Sequence, residues 1–119
     1  MKVVVAATRQ PHALSRQQVE AVFTILPTDL KAGITEVWLE TSPWLHGRCE
    51  FDEAGGRVRI CLVVPEKTPA TTEKALRLLL ECLARRADLA PFFERRPRPS
   101  PSAEEVIRTW LPECIAAAS

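Results

Sequence analysis

The segment that most constrains this chain is a long amphipathic helix opened by Thr68-Pro69. Threonine is a good N-cap, and proline fits the first helical position because its missing N–H has no partner there anyway. Leu76, Leu79, Leu80, Leu83 and Ala87 then recur at helical spacing as a core stripe, which Leu78, Cys82 and Leu89 widen. Glu73–Arg77 and Glu81–Arg85 are i,i+4 pairs on a wetter face. So broad an apolar stripe has to be covered by another layer, which the remaining residues must build.

At 119 residues the chain reads as one domain, 1–119, large enough to bury a core without staples. Lys2–Ala6 is a short β-branched strand. Ser15-Arg16-Gln17-Gln18 fits a capping box, and the helix behind it lines up Val19, Val22, Phe23 and Leu26 before Pro27 ends it. Ile34–Thr41 reads as a second strand, with Trp38 on the opposite face from Val37 and Leu39, and Ser42-Pro43-Trp44 breaks it. Arg48–Asp52 and Arg57–Val64 flank Glu53-Ala54-Gly55-Gly56, a hairpin signal. The hairpin puts Cys49 and Phe51 on one face with Val58, Ile60 and Leu62, and sets Glu50 and Asp52 opposite Arg57 and Arg59 as a solvated charge ladder. Residues 94–102 form a Pro/Arg-rich internal connector of extended character. Ser102-Ala103-Glu104-Glu105 caps a last helix with Val106, Ile107, Trp110 and Leu111 on its apolar face; Pro112 is expected to kink or split it and to leave Ile115–Ala118 as a weak tail. The predicted order is β-α-β-β-β-α-α, an α+β domain with helices packed on a mainly antiparallel sheet.

A formal net charge of +1 gives no global attraction to nucleic acid or membrane. The bias toward Arg, Ala, Leu and Pro reads as that of a GC-rich bacterial genome. The apolar start Met1–Ala7 meets polar Thr8-Arg9-Gln10 too early for a signal peptide, and no run approaches a membrane span, so a cytoplasmic protein is expected. Cys49, Cys61, Cys82 and Cys114 lack CxxC spacing and are expected to be buried free thiols.

The long helix resembles the active-site helix of small zincin-type metallopeptidases. Where that family carries HExxH, this chain has Leu80-Glu81-Cys82-Leu83-Ala84. The surrounding order is similar too: a helix ending at Leu26-Pro27, a strand, a hairpin with Ile60-Cys61-Leu62 as its inner edge, the long helix, and a helix opened by Ser102. The resemblance implies that Glu81 matches the catalytic glutamate, Leu80 and Ala84 match the two histidine positions, and Glu104 or Glu105 matches a downstream ligand. Two histidines four apart normally hold the zinc that activates water. With both replaced by apolar residues, peptidase activity, a bound metal and any other cofactor are not expected. The expected function is therefore that of a catalytically inactive zincin-like domain acting through protein or peptide contacts, with a homodimer as one form.

Two alternatives stay open. Arg85 and Arg86, with Arg95, Arg96 and Arg98 and the neighbouring Phe92 and Phe93, suit phosphate contact and base stacking in a nucleic-acid-binding module. His46, Cys82 and Glu105 are the residues from which a rebuilt metal site, and with it a hydrolase, would have to be made. Trp38 and Trp44 flank the strand that the resemblance sets beside the substrate cleft, so Val37–Thr41 and the Trp44 loop are candidates for a groove holding a peptide or a second subunit.

Overall fold

The structure is a computed structural model that describes residues 1–94 and 103–119, with side chains described for 1–86 and 103–119. Strand β1 (Lys2–Val5) leads through a polar loop to helix α1 (Arg16–Ile25) and the single-turn helix α2 (Thr28–Lys31). Strand β2 (Glu36–Leu39), a 3-10 turn (Pro43–Leu45), strand β3 (Arg48–Asp52) and strand β4 (Arg57–Cys61) follow, and helices α3 (Pro69–Glu94) and α4 (Ala103–Ala118) complete the chain.

The class is α+β, but the sheet is mixed rather than mainly antiparallel. Its order is β1-β2-β4-β3, and β1–β2 and β2–β4 are both parallel; only the β3–β4 hairpin is antiparallel. The reason is the connection. Helices α1 and α2 return the chain so that β2 runs beside β1 in the same direction, as a crossover requires. Strand β4 then inserts between β2 and its own hairpin partner.

The register sorts the side chains into rows. Inward lie Val3–Val37–Val58–Phe51 and Leu39–Ile60–Cys49; outward lie Lys2–Glu36–Arg57–Asp52 and Val4–Trp38–Arg59–Glu50. The inward rows meet α1, α3 and α4 in one core built around Val19, Val22, Leu76, Leu79, Leu80 and Leu83. Each of those leucines contributes about 1.5–3 kcal/mol by leaving water.

Caps and turns follow the local chemistry. Ser15 Oγ accepts from Gln18 N while Gln18 Oε1 accepts from Ser15 N, closing the capping box. Thr68 and Thr71 do the same at the start of α3. Gly56 sits at φ +62°, and a Cβ there would lie 2.6 Å from Gly33 O, so the hairpin turn demands glycine. Helix α4 runs unbroken through Pro112, and its end is not a loose tail: Ala118 is buried, and its carbonyl accepts from Gln18 Nε2 at 2.9 Å. The connector at 95–102, Ser102 included, lies outside the described residues.

Candidate functional site

The face of α3 that matches the zincin motif is closed. Leu80 and Ala84 are both 0% exposed and belong to the main core. Glu81 lies on the neighbouring, wetter face in an ion pair with Arg85, one turn on. The i,i+4 geometry explains both facts: residues 80 and 84 point at the sheet, and 81 and 85 point past it. The groove of about 550 Å³ between α3 and α4 is lined by Glu73, Arg77, Glu104, Ile107 and Arg108, one to two turns before the motif. His12 Nε2 is 2.8 Å from Ala6 O, and His46 follows the 3-10 turn in a bridge to Cys61. Glu105 starts α4 at an exposed position. Among the described residues no three His, Cys, Asp or Glu side chains gather as metal ligands, so His46, Cys82 and Glu105 are not brought together. The residues at these positions do not supply the ligand set that holds zinc in the family the helix resembles.

Trp38 stands on the outward face of the sheet, and Trp44 on the 3-10 turn that follows β2. Trp38 is satisfied where it stands: its Nε1 donates to Glu36 Oε2 at 2.9 Å, and the Arg57 guanidinium lies 4.2 Å over its ring. Glu36 also accepts from Arg57 Nε at 3.1 Å. These hydrogen bonds, from Trp38 first and Arg57 next, hold the Glu36 carboxyl below its ordinary 4.5. Arg59 forks onto Glu40 at 3.0 and 2.8 Å, which raises the guanidinium's affinity for its proton further. The register does set Glu50 opposite Arg59 and Asp52 opposite Arg57, but both arginines ion-pair toward β2. Trp44, by contrast, stands 74% exposed on the 3-10 turn. Its neighbour Leu45 is buried apart from the main core, as is Cys61, whose carbonyl accepts from Gly47 N at 2.7 Å. The turn is thus anchored to the end of β4 while Trp44 points into solvent. Strand β2 lies inside the sheet with both edges paired, so Val37–Thr41 offers no strand edge to a peptide.

Arg85 and Arg86 part company. Arg85 is exposed and held by Glu81. Arg86 turns inward, donates to the carbonyls of Leu30 and Ala32, and lies 5.0 Å over the Phe51 ring. It ties α3 to α2 and β3, and burial lowers its pKa. An arginine spent on two carbonyls and a ring is not presented to phosphate. Phe92, Phe93, Arg95, Arg96 and Arg98 lie outside the residues whose side chains are described.

Sequence reasoning missed a third place. Three of the four free cysteines are buried, and Cys49 is half-buried on the inward row of β3, the strand that packs against the helix carrying Cys82. The neighbouring Cys82 and burial push the Cys49 thiol well up, whereas Cys82 is lowered by Cys49 first and then, in spite of its desolvation, by the charges of Arg86 and Arg85. The available signal was weak but present: Cys49 belongs to the inward row of β3, and Cys82 widens the stripe of the helix above it.

No family model, curated protein or solved structure matches the chain. Among the described residues no helix is long and apolar enough to cross a membrane.

Proposed function

We propose that this chain is a non-enzymatic protein-contact domain on a zincin-like scaffold, and that its contact is made by the helix-free face of the sheet and the Trp44 turn. The observation that carries the reading is Trp44, 74% exposed on a turn whose other side is pinned to the sheet. A large aromatic held out rigidly from the surface is the kind of residue that anchors interfaces. The burial of Leu80 and Ala84 supports the other half of the reading, because it leaves no face of α3 on which zinc ligands converge. Four unpaired thiols suit the reducing cytoplasm in which we place the protein.

The occupant we favour is a second copy. The outer row Lys2–Glu36–Arg57–Asp52 alternates in sign across the four strands. A two-fold interface must be self-complementary, and a patch of both signs meets that condition while a patch of one sign does not. Sedimentation equilibrium of the intact chain tests this. The expected result is a concentration-dependent dimer that weakens about tenfold or more, roughly 1.4 kcal/mol, in Trp44→Ala. A wild-type chain that stays monomeric across the accessible range, or a dimer indifferent to Trp44→Ala, contradicts it.

A further inference from the structure

We propose that edge strand β3 pairs antiparallel with β3 of a second copy of this chain, joining two four-stranded sheets into one. The contact lies on the edge of the sheet rather than on its open face, so it goes beyond the reading above and does not depend on it.

The core is unfinished at this edge. Val3, Val37, Leu39, Val58 and Ile60 of the inward rows are buried, whereas Cys49 and Phe51, which end those rows on β3, are only half-buried. Helix α3 packs over β3, and the Arg86 guanidinium lies over the Phe51 ring. What remains open is the flank of the strand. Among the described residues no strand pairs with that side.

The hydrogen bonds show which backbone groups face outward there. Gly56 O accepts from Glu36 N and Ile60 O from Glu40 N, so the even-numbered residues of β4 bond to β2. The odd-numbered Arg57, Arg59 and Cys61 are left for β3, where they stand opposite Asp52, Glu50 and Arg48. Cys49 and Phe51 therefore turn their N–H and C=O groups to the free edge. Such a row of strand donors and acceptors is a template onto which another strand adds.

Symmetry and charge select the occupant and the register. Opposite residues of an antiparallel pair share a face, so a two-fold axis normal to the sheet must pass through a residue of β3. With the axis at Glu50, Cys49 of each copy stands opposite Phe51 of the other. Each such pair exchanges two hydrogen bonds, which satisfies all the outward groups, and the half-buried side chains cover one another. Arg48 then stands opposite Asp52 at both ends. Both are exposed, and among the described residues neither is in an ion pair; Asp52 Oδ1 accepts from Ala54 N at 3.1 Å. The neighbouring registers are worse. An axis at Cys49 sets Phe51 opposite Gly47, whose N–H is already given to Cys61 O, and an axis at Phe51 sets Glu50 opposite Asp52. The favoured register carries one repulsion, Glu50 against Glu50 across the axis, and this gives the contact a signed test.

The first arm uses the wild-type chain and needs no substitution: amide exchange at Cys49 and Phe51, followed by NMR as the protein is concentrated. Both amides should slow with concentration, and exchange indifferent to concentration overturns the proposal. In sedimentation equilibrium Glu50→Gln, which removes the repulsion, should tighten the dimer about two- to fivefold. Arg48→Glu and Asp52→Arg should each weaken it about tenfold, and an equimolar mixture of the two should restore it, because each reversed charge then faces an opposite one. A mixture no tighter than either variant alone contradicts the pairing. Residues facing across the axis lie about 4.5 Å apart at Cα, within reach of a disulfide. Oxidised Glu50→Cys should therefore give a covalent dimer that maps to position 50 of both copies, in excess of the exposed control Glu66→Cys; a yield no greater than the control's overturns the register. Trp44→Ala should leave every arm unchanged. A dimer that persists in Trp44→Ala counts against the open-face contact and is what the edge contact predicts.

Discussion

Restoring the two missing histidines, Leu80→His with Ala84→His, should unfold this protein rather than give it a metal. Both positions are fully buried and packed in the core. Leu80→His trades an aliphatic side chain for an imidazole whose ring nitrogens have no partner on that face, at a cost of about 1–3 kcal/mol for the unsatisfied polar group. Ala84→His forces a ring into the space of a methyl group, and overpacking of this kind costs about 1–3 kcal/mol more. The sites are one helical turn apart, so the terms do not add strictly. A combined loss of about 2–6 kcal/mol is a large share of the roughly 5–15 kcal/mol that holds a domain together. Urea unfolding with and without zinc measures it, with Glu81→Gln as a surface control expected to move stability by about 0.5 kcal/mol or less. If the double variant unfolds within about 0.5 kcal/mol of wild type and gains stability as zinc is added, positions 80 and 84 open onto a metal-capable cleft, and the argument from core packing is wrong.

Three further outcomes follow from the geometry. Glu36 is held below its ordinary 4.5, so its contribution to stability is fully present above that value and is lost as pH falls through its lower folded value; the stability gap between wild type and Glu36→Gln should be constant near neutrality and shrink below pH 4.5 in thermal melts. Arg86→Ala strips the donors from the Leu30 and Ala32 carbonyls and uncovers Phe51, and should cost about 1–3 kcal/mol in urea unfolding, with Arg86→Lys recovering only part because an ammonium lacks the fork. Gly56→Ala combines a positive φ with a Cβ 2.6 Å from Gly33 O, and should destabilise by more than about 1 kcal/mol, whereas Gly47→Ala, whose Cβ would meet nothing within 4 Å, should cost less.

Local chemistry was legible in the sequence, and pairing over distance was not. The Ser15–Gln18 capping box, the Thr68-Pro69 helix start and the Glu53–Gly56 turn each depend on residues a few positions apart, and the structure has all three. Strand partners depend on where α1 and α2 return the chain, which no spacing records. Four-residue strands such as β1 and β2 are also too short to betray a parallel neighbour by their pattern. The charge ladder shows the consequence: Arg57 and Arg59 do stand opposite acidic residues of β3, yet they bond to Glu36 and Glu40 because β2 lies on their other side. Arg86 is a sharper case. Its type and its neighbour Arg85 suggested a phosphate contact, but it sits one turn beyond Cys82 on the face toward β3, and the fold uses it as an internal clamp.

The most direct test of the account is the zinc content of the untagged chain, purified without chelator, offered zinc and dialysed. The closed face of α3 predicts no stoichiometric metal. One zinc per chain that survives dialysis would contradict it: ligands would then converge where the packing leaves no room for them, and the non-enzymatic reading would fall with the argument.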